Sequence, residues 1–80
     1  MGQNHATIGG VLTSLANSDL TGANLTGANL TNASLYNANL TNANLTGANV
    51  SGVQWQHTTC PDGTNSDNNG GTCVGHGGGL

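Results

Sequence analysis

The residues whose types could do chemistry lie mostly in the last third of the chain. Cys60 and Cys73 bracket the stretch CPDGTNSDNNGGTC, with Asp62 and Asp67 inside it and His57 and His76 on either flank. Two cysteines around a Gly- and Asn-rich loop, with no third cysteine in the chain, read as a Cys60–Cys73 disulfide. Closing such a loop contributes about 3 kcal/mol in the chain-entropy account. That bond points to an oxidising compartment, extracellular or periplasmic. A zinc site of Cys60, Cys73, His57 and His76 is the competing chemistry, but the spacings are not those of zinc motifs. A third chemistry is calcium: Asn65, Asp67, Asn69 and Gly70 echo D-x-[DN]-x-[DN]-G, and Asp62 lies nearby. Where a bidentate Glu would close a calcium loop this chain has His76, so the pattern is partial. A stapled Asx-rich turn is the expectation, with Asp62, Asn65, Asp67 and Asn69 the ligands if calcium binds, and no other cofactor.

Catalysis has little to work with. The chain has no Glu, Lys or Arg, and no Ser-His-Asp arrangement at a recognisable spacing. General acid–base work needs a positioned group with a tuned pKa, and His57 with Asp62 is the pair that can be drawn. A surface histidine near the end of a repeat is the simpler reading, so the expectation is a non-enzyme with no small-molecule substrate.

The elements that must position these residues come from a repeat. Leu15, Leu20, Leu25, Leu30, Leu35, Leu40, Leu45, Val50 and Trp55 recur at every fifth position without a break in phase. Two residues before each stands Thr13, Ser18, Ala23, Ala28, Ala33, Ala38, Ala43, Ala48 or Val53. The intervening positions are polar or glycine. A period of five is neither helical nor that of a strand. The pattern resembles the pentapeptide repeat family, with its motif A(D/N)LXX, from Thr13 to Trp55. The resemblance implies an all-β fold, a right-handed quadrilateral β-helix (β-solenoid) of about two coils. One pentapeptide forms each side, and residues twenty apart stack at roughly 4.8 Å. Large and small inward residues would then alternate in layers, and Asn and Gly would suit the corners.

Three segments follow: 1–12 as an N-terminal cap or stacking segment, 13–57 as the β-helix, and 58–80 as a disulfide-stapled cap and tail. In the first, Gly10 stands where the phase calls for a large residue, and Ile8, Val11 and Leu12 either cover the first coil or meet a neighbouring molecule. For the last, the Gly-rich tail leaves disorder as an alternative. Tyr36, which interrupts the outward Thr series, and Trp55, at the last side, join Ile8, Val11 and Leu12 as candidate self-association residues.

Composition excludes several partners. With 80 residues, 34% of them hydrophobic and no Phe, a conventional core of large side chains is not available. A net charge of -3 without any Lys or Arg argues against nucleic acid and anionic lipid. No run approaches the roughly 20 apolar residues of a membrane helix. The start MGQNHATIGG has no basic n-region, and Ala6 spoils a myristoylation signal. The sequons at Asn24, Asn29, Asn32, Asn39, Asn44 and Asn49 follow from the repeat itself. The functional expectation is a secreted, non-catalytic scaffold that self-associates through its solenoid ends into a homo-oligomer or fibre, since unblunted strand edges are templates for pairing. Two alternatives stand beside it. One is ice binding by stacked threonines (Thr21 with Thr41, Thr26 with Thr46). The other is DNA mimicry towards gyrase, an activity known in the family, although this wall carries only Asp19.

Overall fold

A computed structural model of the chain describes residues 14–80. From Ser14 onward every pentapeptide makes the same turn. The carbonyl of each central residue accepts the N–H three residues on, as in Leu20 with Ala23 at 2.9 Å and Leu40 with Ala43 at 2.8 Å. The third residue of each turn is left-handed, and Asn or Gly fills that place at Asn17, Gly22, Gly27, Asn32, Asn37, Asn42, Gly47 and Gly52. These two types tolerate positive φ, which a type II turn requires there.

Four such turns bring the chain back over itself. Parallel bridges join Ser14 to Ser34 to Gln54, Asp19 to Asn39 to Thr59, Asn24 to Asn44, and Asn29 to Asn49, each pair twenty residues apart. Two coils and part of a third are therefore stacked. The walls are not strands in the ordinary sense, because each side supplies a single bridging residue before the next corner. The regular element among the described residues is a 3-10 helix, Ser66–Asn68. A five-residue side with two residues in a turn leaves no length for a longer ladder, so an all-β fold here means a stack of bridged corners.

Inside, the layers are as the repeat implies. Leu25, Leu30, Leu35, Leu40 and Leu45 and the alanines Ala33, Ala38 and Ala43 are buried, with Ala23 and Ala28 slightly less so. Each fully buried leucine contributes about 1.5–3 kcal/mol of transfer free energy. A column of them replaces the large side chains the composition lacks.

The phase runs past the boundary expected at residue 57. Thr58 takes the small inward place above Ala38 and Cys60 the large inward place above Leu40, both fully buried. Thr59 still bridges Asn39, and the Pro61 carbonyl still accepts the Asn42 N–H at 2.9 Å. Cys60, smaller than leucine and joined to Cys73, ends its column, and the Thr58 hydroxyl donates to the Leu35 carbonyl at 2.7 Å. The solenoid gives way to the cap only at Pro61. The segment 1–12, with Ile8, Val11 and Leu12, lies outside the described residues.

Candidate functional site

Beyond Pro61 the chain reverses. Asn65 pairs antiparallel with Thr59, the Cys60 N–H donates to the Thr64 carbonyl at 2.7 Å, and the Ser66 N–H to the Thr58 carbonyl at 2.8 Å. An antiparallel segment on the last parallel bridge ends that ladder. The 3-10 helix then begins with Asn65 as its cap, the side-chain oxygen accepting from Asp67 N at 2.8 Å. Ser66 is buried, and its hydroxyl donates to the Trp55 carbonyl while accepting the Thr58 N–H. From Cys73 the tail returns to the solenoid, where the Gly78 carbonyl accepts the Leu45 N–H at 2.7 Å.

Cys60 and Cys73 are joined, S–S 2.08 Å, and both are fully buried. Their sulfurs are thus used on each other, which removes the zinc reading. The histidines pair with carboxylates, though not as His57 with Asp62. The Nδ1 of His57 meets Asp67 Oδ2, and that of His76 lies 3.5 Å from Asp62 Oδ2. His57 also holds the left-handed place in its turn, φ 57°, and its N–H donates to Asp67 Oδ1 at 3.1 Å. Tyr36 stands edge-on to the His57 ring at 5.5 Å and is about half exposed.

The four expected calcium ligands are committed elsewhere. Asp62 Oδ1 accepts both the amide and the hydroxyl of Thr64, which hold its carboxyl below the ordinary value, with a smaller contribution from His76. Asn65 caps the helix, Asp67 holds His57, and the Asn69 amide donates to Thr64 Oγ1 at 2.8 Å. No three His, Cys, Asp or Glu side chains come together among the described residues. The Asx-rich loop is a hydrogen-bonded turn.

Trp55 is buried in the last coil. The helix Ser66–Asn68 is anchored on its carbonyl, which the sequence could not reveal because the helix falls eleven residues later. Thr58, Ser66 and Gly78 are the structural residues that sequence reasoning missed. The first was legible, lying two before Cys60 in unbroken phase. The other two depend on the path of the cap.

The walls carry one motif throughout. Asn24 Oδ1 accepts the Thr26 N–H at 3.1 Å and its hydroxyl at 2.7 Å, and Asn29, Asn39 and Asn44 do the same with Thr31, Thr41 and Thr46. Asp19 accepts the Thr21 N–H in the same way, and its bonds to Thr21 lower its pKa. The N-x-T spacing of these sequons therefore has a structural cause.

Corner turns every five residues, bridges at twenty and a leucine-filled interior define a right-handed β-helix solenoid. The chain belongs to the pentapeptide repeat family, whose profile matches residues 13–53 in eight copies. It is similar to HetL of the cyanobacterium Nostoc sp. strain PCC 7120, a pentapeptide repeat protein involved in heterocyst differentiation regulation. The two are 40% identical over 65% of this chain, with a TM-score of 0.64, and this chain corresponds to 22% of the length of HetL. No curated protein matches.

Proposed function

We propose that the chain is a non-catalytic structural module of an oxidising compartment, which pairs with copies of itself through its N-terminal end. The observation that carries this is where the reactive side chains are used. Both cysteines, His57, Asp67 and Ser66 are engaged in fastening the cap to the last coil, and His76 and Asp62 in fastening the tail within the cap. What remains on the walls is an uncharged Asn–Thr lattice with Asp19 as its one carboxylate. A buried disulfide that fastens such a cap supports work where disulfides persist.

Self-association takes a narrower form than a fibre. Residues 64–66 and the tail cover part of the C-terminal end, and in sequence the apolar Ile8, Val11 and Leu12 precede the first described coil, so this reading has copies meet through the N-terminal end. An assembly that uses one end of each copy closes as a dimer. Sedimentation of the oxidised protein from micromolar to millimolar concentration is expected to show a monomer–dimer equilibrium. A monomer throughout would remove the pairing, and turnover of any ester, peptide or glycoside substrate that is lost in an H57A variant would remove the non-catalytic reading. Ice binding is disfavoured because Thr26, Thr31, Thr41 and Thr46 each donate their hydroxyl proton to a neighbouring Asn oxygen.

A further inference from the structure

We propose that Asn69 is a self-modifying site: it loses its side-chain amide to attack by the Gly70 nitrogen, and the carboxylate that results loosens the cap around the disulfide.

A chain this rich in asparagine is open to one general reaction. The backbone nitrogen of the following residue attacks the asparagine Cγ and closes a five-membered imide. The attacking N–H must be free of hydrogen bonds, and its own residue must not hinder the approach. The solenoid denies the first condition almost everywhere. After Asn24, Asn29, Asn39 and Asn44 on the walls, the N–H groups of Leu25, Leu30, Leu40 and Leu45 donate to the carbonyls of Asn44, Asn49, Thr59 and Gly78. After Asn17, Asn32, Asn37 and Asn42 at the corners, those of Ser18, Ala33, Ala38 and Ala43 close the turns on Leu15, Leu30, Leu35 and Leu40. In the cap, the Ser66 N–H after Asn65 donates to Thr58, and the Asn69 N–H after Asn68 donates to Ser66.

Asn49 and Asn69 escape this protection, because the N–H groups of Val50 and Gly70 have no hydrogen-bond partner among the described residues. Val50 is branched at Cβ and half-buried, and the Asn49 side chain is tied to the Ser51 N–H at 3.1 Å. Gly70 has no side chain to obstruct its nitrogen, is exposed, and has open space where a Cβ would lie. It also follows the one asparagine that precedes a glycine in the sequence.

A bond forms between Gly70 N and Asn69 Cγ as the bond from Cγ to Nδ2 breaks. The Gly70 proton leaves with the side-chain nitrogen as ammonia. Water then opens the imide at either carbonyl, giving aspartate or, with the main chain rerouted through Cβ, isoaspartate. The cap sets a brake on this. Asn69 ends the 3-10 helix with its N–H on the Ser66 carbonyl, and the Gly71 N–H returns to the same oxygen. The Asn69 Nδ2 donates to Thr64 Oγ1 at 2.8 Å and faces Cys60 Sγ at 3.7 Å. The carboxamide is thus turned towards the buried sulfur, and closing the ring requires that it leave Thr64.

The product does not fit where the amide did. The Thr64 hydroxyl gives its proton to Asp62 Oδ1, so the donors run one way, from Asn69 to Thr64 to Asp62. A carboxylate at position 69 has no proton to give Thr64. It also sets a second negative charge near Asp62, with one hydroxyl proton between the two. An isoaspartate lengthens the backbone inside the Ser66 clamp as well. Either product removes a fastening beside Cys60 while the disulfide stays closed, so the cap loosens with age and remains covalently tied.

The test is prolonged incubation of the full oxidised chain in mildly alkaline buffer, with fragment-ion mass spectrometry to place each change from amide to acid. Asn69 is expected to be modified while Asn24, Asn29, Asn39 and Asn44 stay intact. T64V with its disulfide closed is expected to react about fivefold faster at Asn69, as release of one hydrogen bond implies. The modified protein, separated from the unmodified, and an N69D variant are both expected to melt at a lower temperature. An intact Asn69 after a time in which the reduced, unfolded chain is modified there would overturn the site. Wall asparagines reacting as fast as Asn69 would overturn the protection argued from the ladder. An unchanged rate in T64V would overturn the brake, and unchanged melting in both the modified protein and N69D would overturn the loosening.

Discussion

His57 occupies a place where its column otherwise has asparagine. Asn17 and Asn37 hold the corners beneath it, joined by a bond of 2.9 Å from Asn37 Nδ2 to Asn17 Oδ1. Histidine is among the few types enriched at positive φ, and its ring reaches Asp67 as an asparagine would not. Alanine there keeps the left-handed strain and loses the ring, whereas glycine loses the ring alone. H57A is therefore expected to be less stable than H57G by about 1 kcal/mol, reversing the usual cost of glycine. Denaturant unfolding of the two variants measures it, and equal stabilities would show that the cap dictates the corner. The turn residues were legible as Gly and Asn at every other corner. His57 was not, because its reason for being there is a carboxylate ten residues on.

A coil is stabilised by the layers above and below it. Leu35 is fully buried between Leu15 and Trp55, while Leu15, on the first described coil, is only partly buried. Leu35→Ala should cost about 3 kcal/mol, transfer and cavity together. Leu15→Ala should cost clearly less, since an end layer relaxes and was never fully dry. Thermal melts of the pair decide this, and equal losses would mean that the first coil is packed as tightly as the second. The period of five made the whole interior legible from Leu20 to Trp55. At Thr58 and Cys60 the residue types change while the phase holds, and a cysteine side chain is small and apolar enough to end a column. The antiparallel return at Asn65 and the 3-10 helix could not be read, since their partners are set by how Pro61 to Thr64 turn. Nor could the two His–Asp pairs: sequence distance suggested His57 with Asp62, and the fold crossed them.

At the scale of the whole molecule, charge is confined to three carboxylates and three histidines. The Asp19 and Asp62 carboxyls are held below their ordinary 3.8 by the hydroxyl and amide of Thr21 and of Thr64. A depressed folded-state pKa contributes stability above the unfolded value and loses it as pH falls through the folded one. Both groups lie at the surface, so the loss is small. Acid from about pH 4 downward should lower the melting temperature slightly and without cooperative collapse, and D62N should remove part of that slope. A steep acid transition would require a carboxylate more deeply engaged than either.

The cap touches only the end of the solenoid. Its bonds run to the Trp55 carbonyl and to the amides of Asn42 and Leu45, while the last solenoid residues that carry it, His57 to Thr59, reach the Leu35 and Ala38 carbonyls, the Leu40 amide and the Tyr36 ring. Among the described residues, none of these contacts reaches a residue before Leu35. The forty-six residues from Leu35 to Leu80 therefore form a portable terminus, which could be grafted onto a pentapeptide tube of any length because lengthening the barrel by whole coils leaves every one of its attachment points in place.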